Sequence, residues 1–311
     1  MAIGITAFFG QNPFPCYVYH MHYGRTLAMV LAVFCLARPC GADHPPIHLI
    51  LIDKATTDSL GPLPWPRNRH AKLVNILCGA GARAIALCFH YKNPGPGRGD
   101  EALASAMAKC GKVYIQTGGT EEPQSWEPDA AWLGKISLRA EGKQPGKLVD
   151  AGILQLPVKA IADSAAGLGA MDRLVGSDKN LGSLPLMISH GDLLIPSMGF
   201  RIFLDLEGMG NEPLVLKKGK QIIISHKKVN LDRYGGALIN ITPPGSAYPI
   251  HSFVAVLKGK VAPATFKDAI IIVGVADPQS DISTATGPKN SLELVADQIA
   301  TLYGFMTDKE E

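Results

Sequence analysis

The side chains best placed to do chemistry directly follow apolar runs. Asp53 closes the run His48–Asp53 (HLILID), and His90 follows Ala84–Phe89 (AIALCF). Asp281 lies in the loop after Ala269–Val275 (AIIIVGV). Ligands of open parallel sheets bind beyond the carboxyl ends of the strands, so one sheet edge gathers these residues together with Thr117. Carboxylates there can hold a cation, or accept from an amino or hydroxyl group. The loop Gly61–Pro62–Leu63–Pro64–Trp65–Pro66 adds Trp65 and, just after it, Arg67. Tryptophan offers an aromatic plane and arginine a bidentate fork. The candidate ligand-binding set is therefore Asp53, Trp65, Arg67, His90 and Asp281.

Each of these has a plainer reading. Asp53 can accept from backbone N–H groups of the next loop and fix it. Arg67 can pair with Asp53 or Asp281 while Trp65 plugs the sheet end, because the prolines hold that loop still. His70 reads as scaffold, and His90 is open to both readings. No catalytic residue is assigned. The chain has no Gly-x-Ser-x-Gly elbow and no Walker loop. Gly95–Gly99 (GPGRG) has the wrong spacing for a dinucleotide fingerprint, and proline removes amide donors that phosphate needs. There is no Cys-x-x-Cys, and neither a metal site nor a cofactor is expected.

The elements that must position these residues alternate. The run ending at Asp53 is a buried strand. Asn68 can cap a helix carrying Ala71, Val74, Leu77 and Cys78 at helical spacing. Ala84–Phe89 is the second strand, Asp100 caps a helix to Lys109, and Val113–Thr117 is the third strand. This order implies right-handed crossovers and a parallel sheet. Gly119–Gly146 is polar and aperiodic, which predicts a long surface loop. Strands are expected at Gly167–Met171 and Leu184–Ser189, and a helix over Pro196–Leu206. Leu214–Ile241 reads as three short strands in an antiparallel meander. After a helix at Ser252–Lys258 and the strand Ala269–Val275, a loop over Asp277–Asn290 leads to a last helix capped by Ser291. The fold class is α/β: a three-layer sandwich with a mainly parallel central sheet and an antiparallel hairpin or meander addition.

The N-terminal end reads as targeting. Arg25 precedes the apolar run Leu27–Ala37, and the small residues Cys40–Gly41–Ala42 follow. That is the pattern of a secretory signal peptide, and the run is short for a membrane span of about 20 residues. The expected organisation is a 1–42 segment with the signal peptide and a single domain over 43–311. Net charge is +3, and without residues 1–42 it is 28 basic against 27 acidic side chains. Nothing in that balance points to nucleic acid. Of the six cysteines, Cys78, Cys88 and Cys110 lie beyond this segment, each among apolar residues, and read as small buried hydrophobes rather than a disulfide framework.

Several motifs together resemble a known family. They are Ile52–Asp53, Leu60–Gly61, Pro64–Trp65–Pro66–Arg67, His70–Ala71, Gly81–Ala82–Arg83–Ala84–Ile85–Ala86, Asp100–Ala104, Ile272–Ala276, Asp281 and Ala300–Thr301–Leu302. The chain resembles the CHASE type 2 (CHASE2) family, the cyclases/histidine kinases associated sensory extracellular domains, over most of Ile47–Gly304. The resemblance implies a periplasmic or secreted, non-catalytic sensory domain of the kind that precedes transmembrane cyclases and kinases, here standing alone. It implies an acidic residue at the position of Cys88. Its partner is then a small ligand or an envelope signalling protein, and the membrane is reached only through an uncleaved N-terminal segment. An interaction subunit docking on a separate membrane kinase or cyclase is the alternative reading, and a periplasmic hydrolase a further one.

Overall fold

The computed structural model describes residues 4–8, 16–20, 44–122, 125–171, 182–245, 247–275, 281–284 and 286–307. The chain divides into two units, Met1–Gly41 and Ala42–Glu311. The first holds an antiparallel strand pair, Gly4–Phe8 and Cys16–His20. The expected signal-peptide run Leu27–Ala37 lies outside the described residues.

The second unit is built on a six-stranded sheet, parallel throughout. Across the sheet the strands run Ile250–Ser252, Ile47–Ile52, Ile270–Val275, Ala84–Leu87, Val113–Thr117 and Gly167–Ala170. The helices, in chain order, are α1 (Lys54–Leu60), α2 (Asn68–Gly79), α3 (Gly99–Cys110), α4 (Ala130–Ile136), α5 (Lys159–Ser164), α6 (Met198–Leu206), α7 (Phe253–Leu257) and α8 (Ser291–Thr307). Alternate side chains of the strands leave to opposite faces. Ile50, Ile52, Ile85 and Val113 join the cores of α2, α3, α5 and α7. Ile47, Leu49, Ala86 and Ile272 join those of α6 and α8. These are the three layers of an α/β sandwich. Each step from one strand to the next in one direction across the sheet uses the first face, and the single return from Gly167–Ala170 to Ile250–Ser252 uses the second. One crossover hand demands that division. The close seat of α6 needs Gly169, where a Cβ would lie 2.4 Å from Met198 Cα.

The addition is a four-stranded sheet in the order Lys227–Asn230, Gln221–Ile224, Leu214–Lys217, Ala140–Gly142. Its first three strands are the antiparallel meander, and Ala140–Gly142 joins them in parallel. A further strand in the expected meander stretch, Gly236–Leu238, leaves it to pair with Ser183–Pro185.

Local expectations are corrected at five places. Asn68 is the first residue of α2, and Arg67 holds the cap position without a side-chain cap bond. Asp100 lies inside the first turn of α3, where its carboxylate is taken by a loop contact described below. The stretch Gly119–Gly146 contains α4, whose Ile136 is buried beside Trp126, Trp132 and Leu133, and whose cap Asp129 accepts from Trp132 N at 2.8 Å. Its apolar residues are too few for visible periodicity, and tertiary packing makes the helix. Within Asp277–Asn290 stands the hairpin Ile282–Thr284 and Gly287–Lys289. Asn290, not Ser291, bonds the first turn of α8, accepting from Leu292 N at 2.9 Å.

Candidate functional site

Asp53 follows the last residue of a central strand and caps α1. One carboxylate oxygen, Oδ1, accepts from Thr56 N at 2.9 Å, Thr56 Oγ1 at 2.6 Å and Ser252 Oγ at 2.9 Å. Two strand ends, Ile47–Ile52 and Ile250–Ser252, are thereby tied together. Partial burial acts to raise the carboxyl's pKa, but the bonds from Thr56 and Ser252 outweigh it and hold Asp53 below the usual carboxylate range. Among the described residues no hydrogen bond reaches Oδ2. The side chain is only partly buried, so this second oxygen is an ionised acceptor held in fixed orientation.

Trp65 and Arg67 occupy the braced loop, and both are buried. Trp65 Nε1 donates to Gly61 O at 2.8 Å, and its ring packs on Phe253 and beneath the Arg69 guanidinium. Arg67 pairs with Asp100, donates to Asn93 O and lies 5.0 Å over the Tyr91 ring. Its partner is therefore neither Asp53 nor Asp281. A carboxylate in the first turn of α3 is nearer, and it also accepts from Gly95 N at 2.8 Å, which fastens the Asn93–Gly99 turn. Both side chains are thus committed to holding loops in place.

Beneath them His70 is buried and stacks on Phe89 at 4.8 Å. Its Nδ1 shares a 2.7 Å hydrogen bond with the Tyr91 hydroxyl. Burial first, then the charges of Arg67 and Arg69, lower its pKa to about 4, so the ring is neutral at ordinary pH. Tyr91 sits at φ +35°, in a region costly to non-glycine residues, and burial raises its hydroxyl's pKa well above 10. A neutral histidine locked against a protonated tyrosine fixes the path of the chain from Leu87 to Tyr91.

That path delivers His90 to the strand ends. His90 is exposed, and its Nε2 lies 3.1 Å from Gln116 Nε2. The backbone past Cys88 stays on the sheet through Cys88 N donating to Val273 O at 2.9 Å. Burial pushes the Cys88 thiol far above its ordinary pKa, so the position where the resemblance implies an acid carries a neutral side chain. Thr117 faces inward and donates to Gln155 O at 2.9 Å. Asp281 stands at the start of the hairpin Ile282–Thr284 and Gly287–Lys289, whose Ile282 packs on the core that α8 shares. The structure therefore leaves Asp53, with Ser252 and Thr56, and His90, with Gln116, along the carboxyl ends of the strands. Residues 276–280, which follow the strand between them, lie outside the described residues.

Ser252 and Gln116 were not legible as site residues, because Ser252 meets Asp53 across 199 residues and Gln116 meets His90 from the neighbouring strand, whereas Thr56, three residues after Asp53, had a local cap signal. A second polar cluster was also invisible. Lys289 and Asp297 form an ion pair with no exposure. Thr242 Oγ1 and Tyr248 OH donate to Asp297 Oδ1 at 2.8 and 2.9 Å, and Lys289 Nζ donates to Thr242 O at 3.0 Å. This clamp holds the hairpin and the 242–248 loop to α8. Burial, then Asp297, raises the pKa of Tyr248. Among the described residues no group of three His, Cys, Asp or Glu side chains is arranged to hold a metal ion, and no helix is long and apolar enough to cross a membrane.

The family model of the CHASE2 domain matches residues 25–310. The chain belongs to that family, one of extracellular sensory domains. No curated protein and no solved structure matches it.

Proposed function

We propose that this CHASE2-domain protein is an extracytoplasmic, non-catalytic sensory domain that binds a small polar ligand at the carboxyl ends of its central strands. The observation that carries the reading is Asp53: three donors fix one carboxylate oxygen, and the other is left as an oriented, ionised acceptor. Such a group suits a ligand ammonium or hydroxyl. His90, beyond the strand two places away, and Gln116, one strand further on, supply further polar contacts. Sheet strands lie about 4.8 Å apart, so Asp53 and His90 are roughly 10 Å apart, the span of a small metabolite. Trp65 and Arg67 support the site from behind by holding the loops still.

A thermal-shift panel of amines, amino acids, polyols and cations tests this reading. A ligand at 100 times its Kd stabilises by about 2.7 kcal/mol, which raises Tm by roughly 4–5 °C in a chain of this size. At least one class is expected to do so with the wild type and fail with Asp53→Asn. Absence of any shift, or equal shifts with both proteins, counts against the site.

A second reading is favoured by the braced loop. Leu63 at its tip is 39% exposed, and Pro66, Leu60 and Leu257 line a shallow groove beside it. A rigid apolar projection suits docking on an envelope signalling protein such as a membrane kinase or cyclase. Co-purification from the cell envelope with the wild type but not with Leu63→Asp is the expected result if this surface carries the output.

A further inference from the structure

We propose that Cys78 and Cys110 form a disulfide that cross-links the last turns of α2 and α3. The sequence separates these cysteines by two elements, and the fold brings them together. Helices α2 and α3 pack side by side on one face of the sheet. Cys78 is the penultimate residue of α2 and Cys110 the last of α3. The chain just beyond each cysteine converges: Ile85 N donates to Lys112 O at 2.9 Å, and Lys112 Nζ to Ala82 O at 3.4 Å. Both cysteines are partly exposed. Burial, then the Cys78 thiol, pushes Cys110 up to about 12, so Cys110 is a poor first attacker. Cys88 follows the opposite, carboxyl end of the strand Ala84–Leu87 and cannot compete.

The oxidant is a disulfide donor, such as the thiol–disulfide oxidases of an export compartment or oxidised glutathione. The Cys78 thiol loses its proton to solvent and attacks one donor sulfur, breaking the donor S–S bond and releasing one donor thiol. Cys110, losing its proton in turn, attacks the Cys78 sulfur of the mixed disulfide and expels the second donor thiol. Two protein thiols are oxidised and one donor disulfide is reduced to two thiols. The bond closes a loop of about 30 residues, which contains the strand Ala84–Leu87 and His90, so it braces the layer behind the candidate site. Only the supply of oxidant in the cell rests on the extracytoplasmic reading.

The test has two arms. The purified full chain is incubated folded with oxidised glutathione, alkylated and digested with trypsin. The expected product links Leu73–Arg83 to Cys110–Lys112 and leaves Cys88, in the peptide Ala84–Lys92, as a free thiol. The oxidised protein is expected to melt roughly 5–10 °C above the same protein in dithiothreitol. Separate glutathione adducts on Cys78 and Cys110, free thiols at both, or a bond to Cys88 would overturn the proposal. In the second arm, thiols are alkylated in intact cells before lysis. The linked peptide there supports the proposal in its full form. A bond formed by glutathione but absent in cells leaves the pairing standing and counts against the extracytoplasmic reading.

Discussion

Replacing Asp53 separates its two roles. Asp53→Ala removes the cap of α1 and the acceptor for Thr56 N, Thr56 Oγ1 and Ser252 Oγ. Loss of an N-cap side chain costs about 1 kcal/mol, with a range of roughly 0.5–2. Thr56 is fully buried, and its hydroxyl together with that of Ser252 loses a charge-assisted partner, which adds about 1–2 kcal/mol. The hydroxyls keep a 3.0 Å contact with each other, which limits the loss. The expected total is about 2–3 kcal/mol. Asparagine caps as well as aspartate, so Asp53→Asn keeps the amide oxygen as acceptor and is expected to cost under about 1 kcal/mol. Urea unfolding followed by circular dichroism measures both. The pH dependence carries a sign. Because the folded pKa is depressed, the Asp53 contribution is fully present above the unfolded value near 3.9 and is lost as pH falls through the lower folded value. The gap between wild type and Asp53→Ala is therefore expected to close below about pH 4. An alanine variant as stable as the wild type at neutral pH, or alanine and asparagine variants of equal stability, refutes the reasoning.

His70, held neutral with a pKa of about 4 against about 6.5 unfolded, contributes roughly 3 kcal/mol above pH 6.5 that is lost as pH falls toward 4. Its imidazole resonances in NMR are expected to titrate well below 5, and a midpoint near 6.5 would contradict the burial argument. Asp100→Ala leaves the nearly buried Arg67 without its charge partner, and is expected to cost about 3 kcal/mol in urea unfolding. Asp297→Asn in the α8 clamp strands Lys289 and is expected to cost about 3–5 kcal/mol, whereas the paired change Lys289→Met with Asp297→Leu recovers most of that loss. Equal losses for the single and double changes would show that packing, not charge, dominates there.

Much of the sheet was legible, because strands buried on both faces appear as unbroken apolar runs such as Ile47–Ile52 and Ile270–Val275. The helices α2, α3, α6 and α8 were legible because their apolar residues recur at helical spacing. The short α4 was not, since its stability comes from Trp126 and from residues after position 150. Caps were the least legible feature. Asp100 has the right residue type for a cap, but Arg67, 33 residues earlier, claims its carboxylate. At the candidate site, Asp53 was readable because it ends an apolar run. That its position is fixed by Ser252 was not, because the pairing of Ile250–Ser252 with Ile47–Ile52 leaves no local signal. Cys78 and Cys110 looked like unrelated core residues until two parallel crossovers set α2 beside α3.

The most direct test of the sensory account is amide chemical-shift mapping of the full chain with whichever ligand class raises its Tm. The account predicts that the perturbed amides cluster at residues 53–56, 90–91, 116–118 and 252–254, and that Asp53→Asn abolishes them while its spectrum otherwise overlays the wild type. Perturbations confined to another surface, such as the groove between α4 and α5, or perturbations unchanged in Asp53→Asn, would contradict it.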